Sequence, residues 1–296
     1  MKNIPVSPLR YPGGKSSISS FIEDLINLNN INNCTLYELY AGGAGASLNI
    51  LFSGVCKRIV LNDLDYHVYS FWASALNHTE EFIKLIEKTP IDMENWILQK
   101  DIYDNYKSRE ILEVGFSTFF LNRCNRSGIL QAGPIGGKDQ TGNYKIDVRF
   151  NKRNLIERIQ ILADKKDLIE IRNTESLEFL EEIFSNEKEP YFIFLDPPYY
   201  VQGENLYYNF YNDSNHTQLA NLLKDYSHSN WFLTYDNCER IKELYSDFRT
   251  AYLPMTYTLQ EKKKSKEIMV FSDNLYLPRN LRLGNKSEEM AMIKSN

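Results

Sequence analysis

Phe192-Ile193-Phe194-Leu195-Asp196-Pro197-Pro198-Tyr199 is the stretch whose reading decides the fold. Four apolar residues in a row read as a strand buried on both faces, the kind found in parallel sheets. One carboxylate, two prolines and an aromatic ring then end it abruptly. Proline has no N–H and cannot extend a ladder, so the strand stops at Leu195. In open α/β sheets, ligands gather at the carboxyl ends of the strands. The tetrapeptide therefore projects from the expected active edge.

Its residue types point to one kind of chemistry. Ionised Asp196 is an acceptor only, and a residue preceding proline is held extended. Pro197 and Pro198 bring carbonyls without competing N–H donors. Tyr199 adds a flat π-face. Two acceptors beside a flat platform fit a planar ring that bears an exocyclic amino group. With both amino hydrogens accepted, the nitrogen lone pair is less delocalised and can attack an electrophile. Stacking on Tyr199 would contribute about 1–3 kcal/mol, as base–aromatic stacking does elsewhere. The bland alternative is a strand followed by a proline-rich turn.

Upstream, Leu36 to Tyr40 reads as a strand, Ala41-Gly42-Gly43-Ala44-Gly45-Ala46 as a Gly-rich turn, and Ser47 to Phe52 as a helix. Strand, Gly-rich turn and helix open a dinucleotide-type βαβ unit, although the turn is not GxGxxG. A second strand, Arg58 to Leu61, ends in Asn62-Asp63, about twenty residues beyond the turn. An acidic residue there can bond ribose hydroxyls; Asp65 is the local runner-up, and a helix cap is the plain reading of Asp63. Leu9-Arg10-Tyr11-Pro12-Gly13-Gly14-Lys15 precedes an amphipathic stretch, Ser16 to Leu28. It is not a P-loop, because position 9 is Leu9 and not glycine. The glycines free the backbone, a helix start accepts an anion, and Lys15 adds positive charge; a turn with a helix cap is the alternative.

Residues 66 to about 165 do not continue the α/β pattern. Tyr66 to Ile86 and Trp96 to Tyr106 read as helical. Asn122 to Gly128, with Gly133, Gly136, Gly137 and Gly142 beyond, reads as loop or hairpin and not core. Arg123, Arg126, Lys138, Lys145, Arg149, Lys152 and Arg153 make this the most basic part of the chain. Arginine and asparagine read base edges bidentately, so a DNA-facing insertion is one reading and a solvated charged surface the other. Leu168 to Ile171 reads as a strand returning to the sheet, ended by Asn173-Thr174-Glu175-Ser176. After the Asp-Pro-Pro-Tyr turn, Val201 to Asn212 is Gly-hinged and aromatic and could close over a base. His216 reads as a cap or surface residue. Trp231 to Tyr235 is a further strand. Tyr252–Leu259 and Ile268–Phe271 are expected to form a closing hairpin with a basic tip at 261–266. Residues 284–296 read as a frayed tail.

Together these motifs resemble the Dam-like (D12 class) adenine-N6 DNA methyltransferases, with cofactor motifs, insertion and catalytic motif in the alpha-group order, over about residues 8–275. The resemblance implies a Rossmann-like, doubly wound methyltransferase sheet formed by 1–65 and 166–283, with a helical and loop-rich target-recognition insertion at 66–165. It implies S-adenosylmethionine as cofactor, held by Tyr11, Lys15, Ala41, Gly42, Gly43, Gly45, Asp63, Glu175 and Asp196. The family usually has Asp where Glu175 stands, one methylene shorter. Asp196, Pro197, Pro198 and Tyr199 take the catalytic roles. Arg123, Asn125, Arg126, Lys138, Tyr144 and Lys145 fall in the DNA-contacting region. The implied substrate is a flipped adenine in double-stranded DNA, with a restriction endonuclease as a candidate partner and monomer or dimer open. Methylation of cytosine N4, of an RNA base or of a protein glutamine, a binding-only protein that keeps the fold, and an NAD enzyme are the competing readings. Asp at 196 favours adenine, since similar cytosine-N4 enzymes tend to have Ser there.

Composition agrees with a soluble, cytoplasmic expectation. The 296 residues are 43% hydrophobic and 25% charged, enough for one large domain with an insertion. No apolar run approaches the roughly 20 residues of a membrane span, and the N-terminus lacks a signal-peptide core. The four scattered cysteines contain no CxxC pair, so neither a metal site nor a disulfide framework is expected. The net charge of −5 argues against a uniformly basic nucleic-acid binder, but a basic groove can sit on an acidic body.

Overall fold

The computed structural model describes residues 7–11, 13–201, 211–257 and 263–294, with the backbone alone at 255–257, 263–265 and 294. Gly203, Tyr207, Tyr208 and Phe210 of the expected aromatic loop, and Glu261 and Lys262 of the expected basic tip, lie outside the described residues. The chain divides into two compact units, one of 15–64 with 174–296 and the other of 1–14 with 65–173.

The strands in chain order are β1 (Cys34–Glu38), β2 (Cys56–Asn62), β3 (Ile169–Arg172), β4 (Tyr191–Leu195), β5 (Trp231–Asp236), β6 (Arg249–Tyr257), β7 (Lys263–Phe271), β8 (Asn280–Leu283), β9 (Lys286–Glu289) and β10 (Met292–Lys294). In the first unit they run β10-β6-β7-β5-β4-β1-β2 across one sheet. Pairing is parallel for β1–β2, β1–β4 and β4–β5, and antiparallel for β5–β7, β6–β7 and β10–β6. The chain leaves β1 toward β2 on one side, and leaves β4 toward β5 on the other. The winding therefore reverses between β1 and β4, where the strand ends leave a crevice.

Side-chain alternation shows helices on both faces. Phe21, from the helix Ser19–Leu28, packs edge-on against Phe232 and Phe271. The opposite face carries Ile193, Leu195, Trp231, Leu233, Ile268 and Val270 against Phe179, Leu180, Leu219, Leu223 and Ile241. Those last five come from helices Ser176–Asn186, Asp213–Asp225 and Glu239–Leu244. This is a doubly wound α/β sheet. Each large apolar side chain removed from water here contributes about 1.5–3 kcal/mol.

The C-terminus departs from expectation. Residues 284–294 are not a frayed tail: β8 and β9 form a hairpin through Gly284 at φ 56, and β10 pairs with β6. Buried Leu281 and the bidentate pair of Arg282 with Asp24 tie the hairpin to the helix Ser19–Leu28. A sparse, charged sequence hid three short strands, two fixed through Leu281 and Arg282 and the third by pairing with β6.

The second unit is helical, with helices Tyr66–Asn77, Thr79–Lys88, Met93–Asp104, Ile111–Cys124 and Lys152–Ala163, followed by β3. Its core is an aromatic cluster in which Phe71 stacks on Phe119, and Phe82 and Phe150 meet Phe119 edge-on. Gly115 lets two helices touch, since a Cβ there would lie 2.4 Å from Ser70 O. The expected loop at Asn122–Gly128 is helix and core in part, since Asn122, Arg123 and Cys124 end the helix Ile111–Cys124 in the interior. Beyond Asn125, apart from the 3-10 turn Arg126–Gly128, the chain to Asn151 is loop, with the bridge Asn125–Pro134 and with Gln140 donating to Ile135 O and accepting from Ile146 N.

Candidate active site

The crevice between β1 and β4 holds a compact set of charged groups. Glu38 is the last residue of β1 and pairs in register with Phe194; Asp196 follows Leu195, the last residue of β4. Lys15 immediately precedes the short 3-10 turn Ser16–Ile18. Its Nζ donates to Asp196 Oδ2 at 2.8 Å and lies 3.7 Å from Glu267 Oε2 on β7. The opposite oxygen, Asp196 Oδ1, accepts from Thr234 Oγ1 of β5 at 2.6 Å and from Tyr199 OH at 3.3 Å. Three donors from three segments thus fix the orientation of one carboxylate.

The electrostatics follow from burial. Lys15 is only 4% exposed, which by itself would expel its proton, yet Asp196 and Glu267 outweigh that and hold its pKa above the usual lysine value. Glu38 is equally buried. Desolvation pushes it up to about 8, Ser47 and Lys15 pull back, and Asp196 adds repulsion. Burial therefore favours the protonated form of Glu38, while its two carboxylate neighbours favour the charged form of Lys15.

Tyr199 is buried, with Lys15 Nζ 5.1 Å above its ring and Tyr235 beside it at 6.3 Å. The segment after the turn is clamped by Asp236 at the end of β5, which accepts from Tyr200 N at 2.9 Å and Val201 N at 2.8 Å. His216 is not a cap or surface residue. It is buried, its Nδ1 meets Tyr235 OH at 2.6 Å, and burial lowers its pKa against the pull of Asp236 and Asp213.

The Gly-rich turn closes as the pattern predicts. Gly42, at φ 45, donates its N–H to Asp63 Oδ2 at 2.8 Å, and left-handed Ala44 leads into the helix Gly45–Ser53. Ala41, Gly42 and Gly43 are buried, and a Cβ on Gly45 would lie 3.1 Å from Ser16 Cβ. Asp63 thus holds the turn and stands beside it at the end of β2. Asp65, the runner-up, is occupied as cap of the helix Tyr66–Asn77 and partner of His67. Glu175 caps the helix Ser176–Asn186, with Oε2 accepting from Leu177 N and Glu178 N.

A family model for the D12 class N6 adenine-specific DNA methyltransferases matches residues 11–259. The chain belongs to this family. One curated relative, modification methylase StsI of Streptococcus sanguinis, is 26% identical over 207 residues, 66% of this chain. The match spans 29% of that longer relative. Among solved structures, the rRNA methyltransferase aviRa of Streptomyces viridochromogenes superposes with a TM-score of 0.36 at 12% identity, covering 89% of this chain and 87% of that one. Sp1610 of Streptococcus pneumoniae gives 0.36 at 8% identity, covering 88% and 70%.

Within this D12 chain, the structure brings Lys15, Ala41, Gly42, Gly43, Gly45, Asp63, Glu175 and the Asp196–Tyr199 turn into one unit. Tyr11 belongs to the other, where its carbonyl accepts from Gly14 N. Of the expected DNA-contacting residues, Arg126, Lys138, Tyr144 and Lys145 are exposed on the loop. Arg123 and Asn125 are not: both are buried and committed to the interior. Arg123 bonds Arg149 O and Pro8 O. Asn125 accepts from Trp96 Nε1 and donates to Ile129 O and Leu130 O, which uses its amide fully. Their setting in a polar, Gly-rich run disguised them as loop. Glu38 and Thr234 escaped notice for the opposite reason, each lying in a strand that is otherwise largely apolar, and Glu267 because it follows the charged run of the expected basic tip. A carboxylate in the middle of Leu36–Tyr40 was the available signal.

Proposed function

We propose that this chain methylates N6 of adenine in double-stranded DNA at a specific site, with S-adenosylmethionine as methyl donor. The observation that carries the reading is the fixed Asp196 carboxylate at the switch point of the sheet, in a D12 family chain. A preorganised acceptor costs no reorganisation when charge moves in the reaction. Asp196 and the Pro197 carbonyl accept the two amino hydrogens of the base. Tyr199 supplies the stacking face, and the base reaches it by flipping out of the duplex at a cost of a few kcal/mol. No general base is needed, because the methylated ammonium product loses its proton readily.

The residues present fit the cofactor. Two carboxylates, half-buried Asp196 and buried Glu267, face the ammonium of Lys15, so the crevice keeps a net negative charge that favours an added cation. S-adenosylmethionine supplies an electrophilic methyl group on such a cation, its sulfonium. The Gly42 turn admits a close backbone approach, and Asp63 presents a carboxylate where a ribose would lie. Lys15 is already paired and serves to hold Asp196 more directly than to bind the cofactor's carboxylate. Arg126, Lys138, Tyr144 and Lys145 face the DNA from the loop.

The test is long-read modification calling on a methylation-free host that expresses the chain, beside an Asp196→Ala variant. We expect N6-methyladenine in one sequence motif, lost in the variant, with cofactor affinity retained. N4-methylcytosine instead would overturn the base assignment. An unmodified genome despite good expression would overturn DNA methylation.

A further inference from the structure

In the helical unit, the segment Ser7–Arg10 is gripped by two helices. Arg158, on the helix Lys152–Ala163, donates from Nη1 to Ser7 O at 2.8 Å. Arg123, on the helix Ile111–Cys124, donates from Nη1 to Pro8 O at 3.4 Å and from Nε to Arg149 O at 2.9 Å. Asn122 takes both backbone groups of Arg10, accepting from its N at 2.7 Å and donating to its O at 3.2 Å. Gly128 makes room for this, since a Cβ there would lie 2.0 Å from Arg10 O.

The consequence is that Arg123 and Arg158 are gathered on the segment that carries Arg10, and Arg149 is tied to Arg123 through its carbonyl. None of the four forms an ion pair among the described residues. Arg10 Nη1 and Arg158 Nε are buried donors without a hydrogen-bond acceptor. Burial first, and then Arg10, Arg158 and Arg149, push Arg123 down to about 9. Burial and Arg149 lower Arg10; burial lowers Arg158, with Glu157 opposing.

Four like charges, two of them with a buried donor that no acceptor fills, are an unfavourable arrangement for the protein alone. An anion with several acceptor oxygens would satisfy it, and the guanidinium fork matches phosphate. We propose that Arg10, Arg123, Arg149 and Arg158 form a phosphate site that holds the backbone of the DNA duplex. This rests on the reading of duplex DNA as substrate. Arg123 is 9% exposed and tied to two carbonyls, so it cannot reach a base edge in a groove. Arg149 is exposed and forms the open side. Such contacts position the duplex and carry no sequence information.

The test uses the full-length chain and its Arg10→Gln and Arg149→Gln variants, with duplex affinity measured across salt concentrations. We expect each variant to bind about fivefold more weakly at moderate salt, equally on target and non-target duplexes, with the log–log salt slope reduced by about 0.9 per phosphate lost. Inorganic phosphate, compared with chloride at equal ionic strength, should raise the Tm of the wild type and raise that of Arg10→Gln less. Removing repulsion should also leave the phosphate-free Tm of Arg10→Gln at or above that of the wild type. Unchanged affinity and slope would overturn the site. So would a variant whose phosphate-free Tm falls while its salt slope is kept, because that marks a structural role. A wild type that binds no duplex at any salt would overturn the DNA reading, and with it the ligand assigned here.

Discussion

Lys15 Nζ lies 2.8 Å from Asp196 Oδ2, across 181 positions of sequence. The pair joins the glycine motif near the N-terminus to the Asp-Pro-Pro-Tyr turn, and Glu267 closes it from β7. A buried ammonium between two carboxylates is stable only as a set. Lys15→Met would leave Asp196 and Glu267 facing each other in low dielectric. Breaking such a set by removing one member typically costs about 3–5 kcal/mol. We expect a loss of that order in urea denaturation, and single-turnover methyl transfer reduced by about 10²-fold or more because the acceptor loses its fixed orientation. Wild-type denaturation would show that Lys15 is not structurally required.

Thr234 tests the other oxygen. Its Oγ1 donates to Asp196 Oδ1 at 2.6 Å from a fully buried position on β5. Thr234→Val keeps the shape and removes the donor. Stability should fall by about 1 kcal/mol. The rate of the chemical step should drop by about tenfold, which corresponds to about 1.4 kcal/mol of lost preorganisation. Cofactor affinity should stay within twofold of the wild type. A weaker cofactor with an unchanged rate would move Thr234 from positioning Asp196 to binding the cofactor.

How much of this was legible follows from what a pattern can encode. The apolar run 192–195, the two prolines and the Gly-rich turn specify local structure through period and missing donors, and each stands where it was expected. The Lys15–Asp196–Glu267 set was not legible. It is made by strand order, and β7 lies next to β5 only through a hairpin that reverses direction. Asn125 and Arg123 misled because polar residues near glycines look like loop. Here they fill the interior because their N–H donors satisfy backbone carbonyls and Asn125 Oδ1 accepts from Trp96 Nε1.

Glu38 predicts a pH dependence of stability. Its folded-state pKa is held up at about 8 by burial, against an ordinary value of 4.5. The folded state therefore binds this proton more tightly than the unfolded chain does. The associated stability is fully present below about pH 4.5 and is lost as pH rises toward 8. It amounts to a few kcal/mol at most, at about 1.4 kcal/mol per pH unit. Glu38→Gln keeps a neutral side chain of the same size and should remove the slope. Urea denaturation at pH 5, 6.5 and 8 should show the variant gaining on the wild type with each step. Parallel pH profiles would mean that Glu38 is ionised throughout.

Asn125 predicts a structural loss that DNA binding alone would not produce. Its amide makes three bonds, to Trp96 Nε1 at 2.7 Å on a helix and to Ile129 O at 3.1 Å and Leu130 O at 2.9 Å in the following loop. It lies fully buried at the end of the helix Ile111–Cys124, where its backbone also starts the bridge to Pro134. Asn125→Ala strands one donor and two acceptors away from water, at about 1–3 kcal/mol for each group that finds no replacement. The expected result is a stability loss of at least about 2 kcal/mol in the absence of DNA, with faster proteolysis of the 126–150 loop. Asn125→Asp keeps the acceptor for Trp96 but sets an unpaired, buried carboxyl against the Ile129 and Leu130 carbonyls, so it should destabilise at least as much as alanine. A base-reading asparagine would behave differently, because its alanine variant would keep stability and relax sequence preference at one position. Normal stability with altered site selectivity would return Asn125 to the DNA interface.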